Sequence, residues 1–525
     1  MGKDKFLKGA LILTAAGFFV KVLGSVNRIL LSRMLGGEGI GLYQMAYPVY
    51  LLMLSVCSAG VPVAVSILVA EKVAREDYAG AHRIFRVTMA LMAGFGLVSA
   101  LGLYELAGFL VNTGIVRDAR VYPALVVLAP AVFFSSIVAS FRGYFQGCQQ
   151  MGPPAVSQIL EQFVRVMTMV LLAWWLLPKG LTYAAAGAAF GAVPGGLAGF
   201  FVLSWFYRKA APEWRERIPR QTGQAVERTG RIARRLVWLA VPTSCANLLI
   251  PMTSAIDMVF VPNALGRAGF GVAEATTLFG YLSGMAQPLL LLAAIPTTSL
   301  TLSLVPAVSE AFTLGQTEEI RRKIASALKI CLLFIVPAAV GMTILAEPIS
   351  GCLYGTRKAA PVIANLAPSI LFLGVYQVTT GALQGIGKTA VPMWNMFFGA
   401  VVKVAAVWYW TSLPWLNIQG AAWAADLNFF VVAALNLYFL RRNGIAFPWA
   451  EAGRIACASL LMGAGAAGVL WVLPGAGLAA RLCVGMVLSF IIYVGAVAML
   501  GIVTKEECLR LPLIGKVLRK WNARP

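Results

Sequence analysis

The sequence predicts an all-α polytopic membrane protein of about fourteen transmembrane helices: two six-helix lobes, then two extra C-terminal helices. Three observations predict it. The 525 residues are 59% hydrophobic and only 12% charged, with mean hydropathy +0.80, whereas a soluble domain carries about 25% charged residues. Apolar runs of about 20 residues, the length that crosses a bilayer, follow one another along the whole chain. Finally, one stretch of the second half repeats a stretch of the first.

The apolar runs fall at 9–33, 42–70, 87–111, 123–147, 156–177, 183–207, 236–262, 276–311, 326–347, 362–385, 392–413, 418–440, 452–473 and 479–503. The first six make an N-terminal lobe over 1–207. A basic loop, 208–235, separates it from a second lobe over 236–440. The last two runs occupy 441–503, and a basic tail, 504–525, follows. Proline recurs inside the runs, at Pro48, Pro62, Pro288, Pro296 and Pro306. These mark kinks or breaks, tolerated at membrane depth where neighbouring groups satisfy the freed backbone.

The formal net charge of +22 is distributed by side. Of the 43 Lys and Arg, 29 fall on the side of the N-terminus and 8 on the opposite side. Nine are in 208–235, and others are in the 71–86 loop and the tail. The excess places that side, with both termini and His82, in the cytoplasm. Topology and contact with anionic lipid account for the charge, and nucleic acid is not an expected partner. The first apolar run is too long for a cleavable signal peptide and lacks a small-residue cleavage site. Eight cysteines without a C-x-x-C pair predict neither disulfides nor a metal cluster. His82 is the only histidine, which excludes HExxH zinc chemistry and histidine-based triads. No cofactor is expected beyond a coupling Na+ or H+.

The repeat aligns "LAPAVFFSSIVASFRGYFQGCQQMGPPA" (128–155) with "LAPSILFLGVYQVTTGALQGIGKTAVPM" (366–393). Pro130 falls on Pro368, Gly143 on Gly381, Gly147 on Gly385 and Pro154 on Pro392; continuing without a gap, Arg165 falls on Lys403. A weaker match, "SVNRILL" at 25 against "SAIDMVF" at 254, sets Arg28 opposite Asp257. Six spans per copy is an even number, so both copies enter the membrane in the same orientation. Two lobes related by an axis along the membrane normal are the expected result, with a pathway between them.

Charges inside the runs are the candidate functional residues: Lys21, Arg28, Arg142, Glu161, Arg165, Asp257, Lys403 and Asp426. Facing lipid, these eight would cost on the order of 20 kcal/mol together. They must therefore face one another or water. Glu161 and Arg165 stand at i, i+4 and form an ion pair on one helix. Arg142 lies near the cytoplasmic end, where its side chain reaches the surface. Lys21 and Arg28 are nearly two turns apart on one small-residue face of the first helix, about 10 Å along the axis. Neither has a carboxylate within a turn, so lining a cavity and pairing with another helix are the two readings. Lys403 and Asp426 are candidate partners on adjacent spans, while Asp257 and Asp426 are equally candidates for a cation-coupling site. The first lobe thus carries Lys21, Arg28, Arg142 and Arg165 against Glu161, a net positive interior suited to an anion such as a diphosphate. "MLGGEGIGLYQ" (34–44) matches no phosphate-binding glycine spacing and reads as a tight turn.

"VKVLGSVNRILLSRMLGGEGIGLYQMAYPVYLL", "SAGVPVAVSILVAEKVA" and "FRGYFQGCQQMGPPAVSQILEQFVRV" resemble the stage V sporulation protein B family. That family is a branch of the multidrug/oligosaccharidyl-lipid/polysaccharide exporter superfamily, which also holds the lipid II flippases. The resemblance spans nearly the whole chain and is strongest in the first six runs. It implies fourteen helices, two six-helix lobes in a V, and alternating access in a bacterial cytoplasmic membrane. The implied substrate is an undecaprenyl-pyrophosphate-linked glycan: lipid II, or a related peptidoglycan, spore-cortex or polysaccharide precursor. Lipid II flippases carry a first-helix pattern like Arg-x-Leu-Gly-x-x-Arg-Asp. Here it reads Lys21-Val-Leu-Gly-Ser-Val-Asn27-Arg28, with the first cation kept as Lys and Asn-Arg in place of Arg-Asp.

The expected function is therefore a lipid-linked glycan flippase, with cavity cations Lys21, Arg28, Arg142, Arg165 and Lys403, serving cell-wall synthesis enzymes as partners. A cation-coupled multidrug exporter of the same superfamily is the alternative; cationic drugs favour acidic cavities, against the cation surplus seen here. A membrane glycosyltransferase or polymerase needs carboxylate or histidine chemistry on large outer loops. The outer side offers only scattered Glu38, Asp118, Glu274 and Glu347, so the chain is not expected to be an enzyme.

Overall fold

A computed structural model describes residues 2–217 and 227–502. The basic tail 504–525 and the middle of the basic loop, 218–226, lie outside the described residues. Every regular element among those described is helical. Close packing divides the chain into one compact unit ending at Gly284 and a second beginning at Met285.

The first unit contains α1 (Gly2–Cys57), α2 (Val61–Ala74), α3 (Tyr78–Asn112), α4 (Tyr122–Gly147), α5 (Gly152–Leu176), α6 (Leu181–Phe190), α7 (Ala192–Arg217), α8 (Thr229–Arg267) and α9 (Val272–Phe279). A single break interrupts α1, at Gly36, whose φ of 66° and ψ of −171° suit glycine and few other residues. The "MLGGEGIGLYQ" segment is accordingly not a tight turn. It is helix on both sides of Gly36, and its remaining glycines serve a close approach. A Cβ on Gly41 would strike the Thr276 carbonyl of α9, and one on Gly280 would strike the Gly37 carbonyl. Backbone therefore lies against backbone, which is how helices associate where lipid removes any hydrophobic drive.

The same unit holds α8, which on sequence grounds begins the second six-helix lobe. Ile232 and Leu236 of α8 are buried with Val65 and Leu68 of α2, Phe85 of α3, Phe141 and Tyr144 of α4, and Leu203 of α7. At one end of the unit, Arg235 pairs with Glu71 at 2.6 Å and Lys72 with Asp77 at 2.9 Å. His82 is at this end too, with its ring hydrogen-bonded by the hydroxyl of Tyr207. At the other end Arg117 donates to the carbonyls of Pro262 and Phe270, at 2.8 and 3.1 Å. There Arg120 joins Glu38 at 2.6 Å and Asp118 at 2.8 Å, and Asp118 also accepts from Thr276 at 2.7 Å.

The second unit contains α10 (Gln287–Ala293), α11 (Ile295–Thr313), α12 (Thr317–Ile344), α13 (Ala346–Tyr354), α14 (Ala360–Leu366), α15 (Pro368–Gly385), α16 (Ala390–Trp410), α17 (Asn417–Arg442), α18 (Trp449–Val472) and α19 (Leu478–Met499). Asn436 of α17 donates to Thr379 and Thr380 of α15, at 3.2 and 3.0 Å, and accepts from Asn395 of α16 at 2.8 Å.

The repeat has a packing counterpart in each unit. A Cβ on Gly143 of α4 would lie 2.7 Å from Val65 Cβ of α2, and one on Gly147 would lie 2.7 Å from Val69 Cβ. In the second unit, a Cβ on Gly381 of α15 would lie 2.6 Å from Thr301 Cγ2 of α11, and one on Gly385 would lie 2.8 Å from Val308 Cβ. The breaks recur as well: α2 begins beside Pro62 and α11 beside Pro296, each with proline in its first turn.

Twelve helical segments among the described residues are long and apolar enough to cross a membrane. The first, Ala15–Ala74, has 60 residues and takes in the expected run 42–70 and most of 9–33; one crossing takes about 20. The run 236–262 lies in α8 and the end of 276–311 in α11, and these two helices are not among the twelve. Trp174, Trp175, Trp238, Trp471 and Phe490 are exposed on the outside of their units, as lipid-facing side chains are.

Candidate functional site

Glu161 and Arg165 lie one turn apart on α5, and Arg165 Nη2 donates to Glu161 Oε1 at 2.7 Å. The second carboxylate oxygen is also taken. Glu161 Oε2 accepts from Nη2 of Arg142, on α4, at 2.7 Å. Arg142 Nε lies 3.3 Å from Ser157 Oγ, which accepts its hydrogen bond. One carboxylate thus holds two guanidiniums, with all three side chains at 15–20% exposure. Two cations on one anion leave the cluster net positive.

Glycine makes the room. Gly191, Gly195 and Gly199 recur every fourth residue and lay the start of α7 on the charged turn of α5. A Cβ on Gly195 would lie 2.9 Å from Arg165 Cβ and 3.0 Å from the Glu161 carbonyl; one on Gly199 would lie 3.1 Å from Glu161 Oε2.

The third guanidinium comes from α1. Arg28 is half-buried, and its Cζ lies 6.0 Å from the ring centroid of Tyr47, within cation–π range. Tyr47 stacks on Tyr43 at 5.5 Å and meets Tyr50 at 5.9 Å. Tyr43 lies within electrostatic reach of both Arg28 and Arg165. Asn27 is buried beside Arg28, and its Nδ2 lies 3.3 Å from Met169 Sδ, tying α1 to α5. Asn27 Oδ1 and Arg165 Nε are buried and have no hydrogen-bond partner among the described residues. Arg28 has no carboxylate within ion-pair distance among them either.

The expected residues are gathered only in part. Arg142 and Arg165 come together on Glu161, while Arg28 lies over Tyr47. Arg142 is bound to Glu161, so it does not reach for the membrane surface. Lys21 is exposed on α1, nearly two turns before Arg28. Lys403 is buried on α16, and Asp426 of α17 accepts a hydrogen bond from Ser369; both belong to the second unit. Asp257 is buried on α8, within the first unit.

Two features escaped the charge-based reading. One is the glycine series "GAVPGGLAG" at 191–199. The other is the tyrosine series 43, 47 and 50 in "LYQMAYPVY", whose spacing places them on one helical face. The glycines repeat at i, i+4 and the tyrosines at i, i+4 and i, i+3, both helical spacings.

A profile described as polysaccharide biosynthesis protein matches residues 6–312, and one described as MatE matches residues 242–409. Stage V sporulation protein B of Bacillus subtilis (strain 168) is 30% identical over 522 residues, covering 99% of this chain and all of that protein. Lipid II flippase MurJ of the same organism is 28% identical over 84% of this chain and 83% of its own. Among solved structures, lipid II flippase MurJ in an inward closed conformation has a TM-score of 0.70 at 16% identity, covering 93% of this chain and 98% of that one. Fold and relatives together define a multi-pass membrane transporter of the multidrug/oligosaccharidyl-lipid/polysaccharide exporter superfamily, not an enzyme. The chain belongs to the polysaccharide biosynthesis protein family, together with stage V sporulation protein B.

Proposed function

We propose that this protein moves an undecaprenyl-pyrophosphate-linked glycan from the inner to the outer leaflet of the cytoplasmic membrane by alternating access. The glycan is a peptidoglycan, spore-cortex or related polysaccharide precursor. One observation carries the reading: Arg142 and Arg165 share the single carboxylate of Glu161, which leaves that cluster net positive, and Arg28 adds a third guanidinium over Tyr47. A diphosphate neutralises the surplus, and arginine binds phosphate bidentately. Lys21 offers a further cation on the approach. The lipid tail stays in the bilayer while headgroup and diphosphate cross. The termini, His82 and the 208–235 loop lie on the cytoplasmic side in this reading, as the excess of basic residues there supports.

Native mass spectrometry of lipids co-purified with the full chain tests the substrate. Retention of a polyprenyl-pyrophosphate glycan is expected, and retention of phospholipid alone would count against it. Cysteine-accessibility labelling tests the topology, which fails if 208–235 labels from outside.

A cation-coupled drug exporter is the second reading, favoured by the MatE match over 242–409. The cation surplus of the first unit opposes it, because such a site repels cationic drugs.

A further inference from the structure

The three tyrosines of α1 share a face but not an environment. Tyr43 and Tyr50 are buried, as expected of aromatics at helical spacing inside a bundle, while Tyr47 between them is partly exposed. It is therefore the accessible tyrosine of the three, and it lies beside Arg28. The break at Gly36 separates the two halves of α1, so that Arg28 from the first half lies over an aromatic of the second.

We infer that Tyr47, backed by Tyr43 and flanked by Arg28, is the stacking face for the sugar ring joined directly to the substrate's diphosphate. The inference rests on the flippase reading and deepens it. The first sugar of such a lipid is bonded through its anomeric carbon to the phosphate. A diphosphate held by Arg28 therefore delivers that ring beside Tyr47. A pyranose presents weakly positive C–H groups on its face, and an aromatic ring presents a negative face to them. The phenol adds a hydroxyl able to donate to, and accept from, the sugar's own hydroxyls. A drug-sized cation or a lipid tail has no use for this combination of hydroxyl, aromatic face and adjacent guanidinium. A saccharide uses all three.

Two probes separate the sugar from the diphosphate: undecaprenyl-pyrophosphoryl N-acetylglucosamine and undecaprenyl pyrophosphate. Binding of each is measured to full-length protein in nanodiscs, for the wild type and for Tyr47→Phe, Tyr47→Leu and Tyr47→Ala, with melting temperature recorded alongside. Tyr47→Leu and Tyr47→Ala are expected to weaken the sugar-bearing lipid about tenfold (about 1.4 kcal/mol) and to leave undecaprenyl pyrophosphate within about twofold. Tyr47→Phe, which keeps the ring, should lose much less. If Tyr47→Ala melts early, Tyr47→Leu decides, since it keeps apolar bulk without an aromatic face. Equal losses on both lipids would show that Tyr47 acts only by holding Arg28, and no loss on either would make it a packing residue. Each outcome overturns this inference and leaves the flippase reading intact. Wild-type protein that binds neither lipid overturns both.

Discussion

Arg142 and Glu161 are joined across two helices, Nη2 of the arginine donating to Oε2 of the glutamate at 2.7 Å, while the other oxygen of Glu161 holds Arg165. Glu161 is therefore the group on which the cationic site is assembled. Removing it differs from removing either arginine.

Glu161→Ala leaves two little-exposed guanidiniums facing one another without an anion. Breaking such a network costs about 3–5 kcal/mol, so a clear fall in melting temperature is expected. Arg142→Ala leaves Glu161 paired with Arg165 and should cost much less. Thermal unfolding of the two variants in the same detergent checks the order, and equal losses would refute the shared-carboxylate account.

Arg28→Ala and Lys21→Ala should act on the substrate and not on the fold. Neither cation is paired with a carboxylate among the described residues. Each loss is expected to weaken binding of a polyprenyl-pyrophosphate glycan by about 1.5–3 kcal/mol, the worth of a charged hydrogen bond, at unchanged melting temperature. Normal binding with a lowered melting temperature would instead show that they hold helices together.

Asp118, in the loop between α3 and α4, ties Arg120 to Thr276. Burial pushes its carboxyl up, but the hydrogen bonds from Arg120 and Thr276 outweigh it and hold the carboxyl below its ordinary value. A depressed carboxyl stabilises the fold above its unfolded value, about 3.9, and that contribution disappears as pH falls through the folded one. Stability of the wild type should therefore drop more steeply than that of Asp118→Asn as the medium is acidified below pH 4. Parallel melting curves across that range would contradict this role.

Gly143 and Gly381 occupy equivalent contacts in the two units, against Val65 and Thr301 respectively. Substitution of either by Val overpacks a helix contact, at a cost of about 1–3 kcal/mol. Comparable destabilisation by the two variants is expected in detergent unfolding, and a loss confined to one would mean that the repeat is not matched in packing.

Asp257 is proposed as a coupling site for Na+ or H+, since it is a buried carboxylate within the apolar run 236–262. Asp257→Asn should slow transport in proteoliposomes and flatten its response to a sodium or proton gradient. An unchanged rate with an unchanged gradient response would remove Asp257 from that role, whatever the fate of the substrate site.

Much of this protein is determined by its sequence alone. Membrane insertion and helical class follow from apolar run length and from charge too costly to face lipid. Those are local quantities, summed along the chain. The same cost singled out Lys21, Arg28, Arg142, Glu161 and Arg165 before any contact was known, and the Glu161–Arg165 pair followed from i, i+4 spacing. Tertiary structure decided what spacing cannot express. Arg142 and Glu161 are 19 residues apart on different helices, and only the packing of α4 on α5 brings them together. One of the places where α8 meets the rest of the first unit is Gly60, whose Cβ would strike the Ala240 carbonyl and whose N–H donates to Ser244 at 3.1 Å. Nothing in the composition of α8 selects that partner over another apolar helix. In lipid all apolar faces are alike, and association is chosen by close backbone approach and polar pairing. Both arise only when particular helices meet.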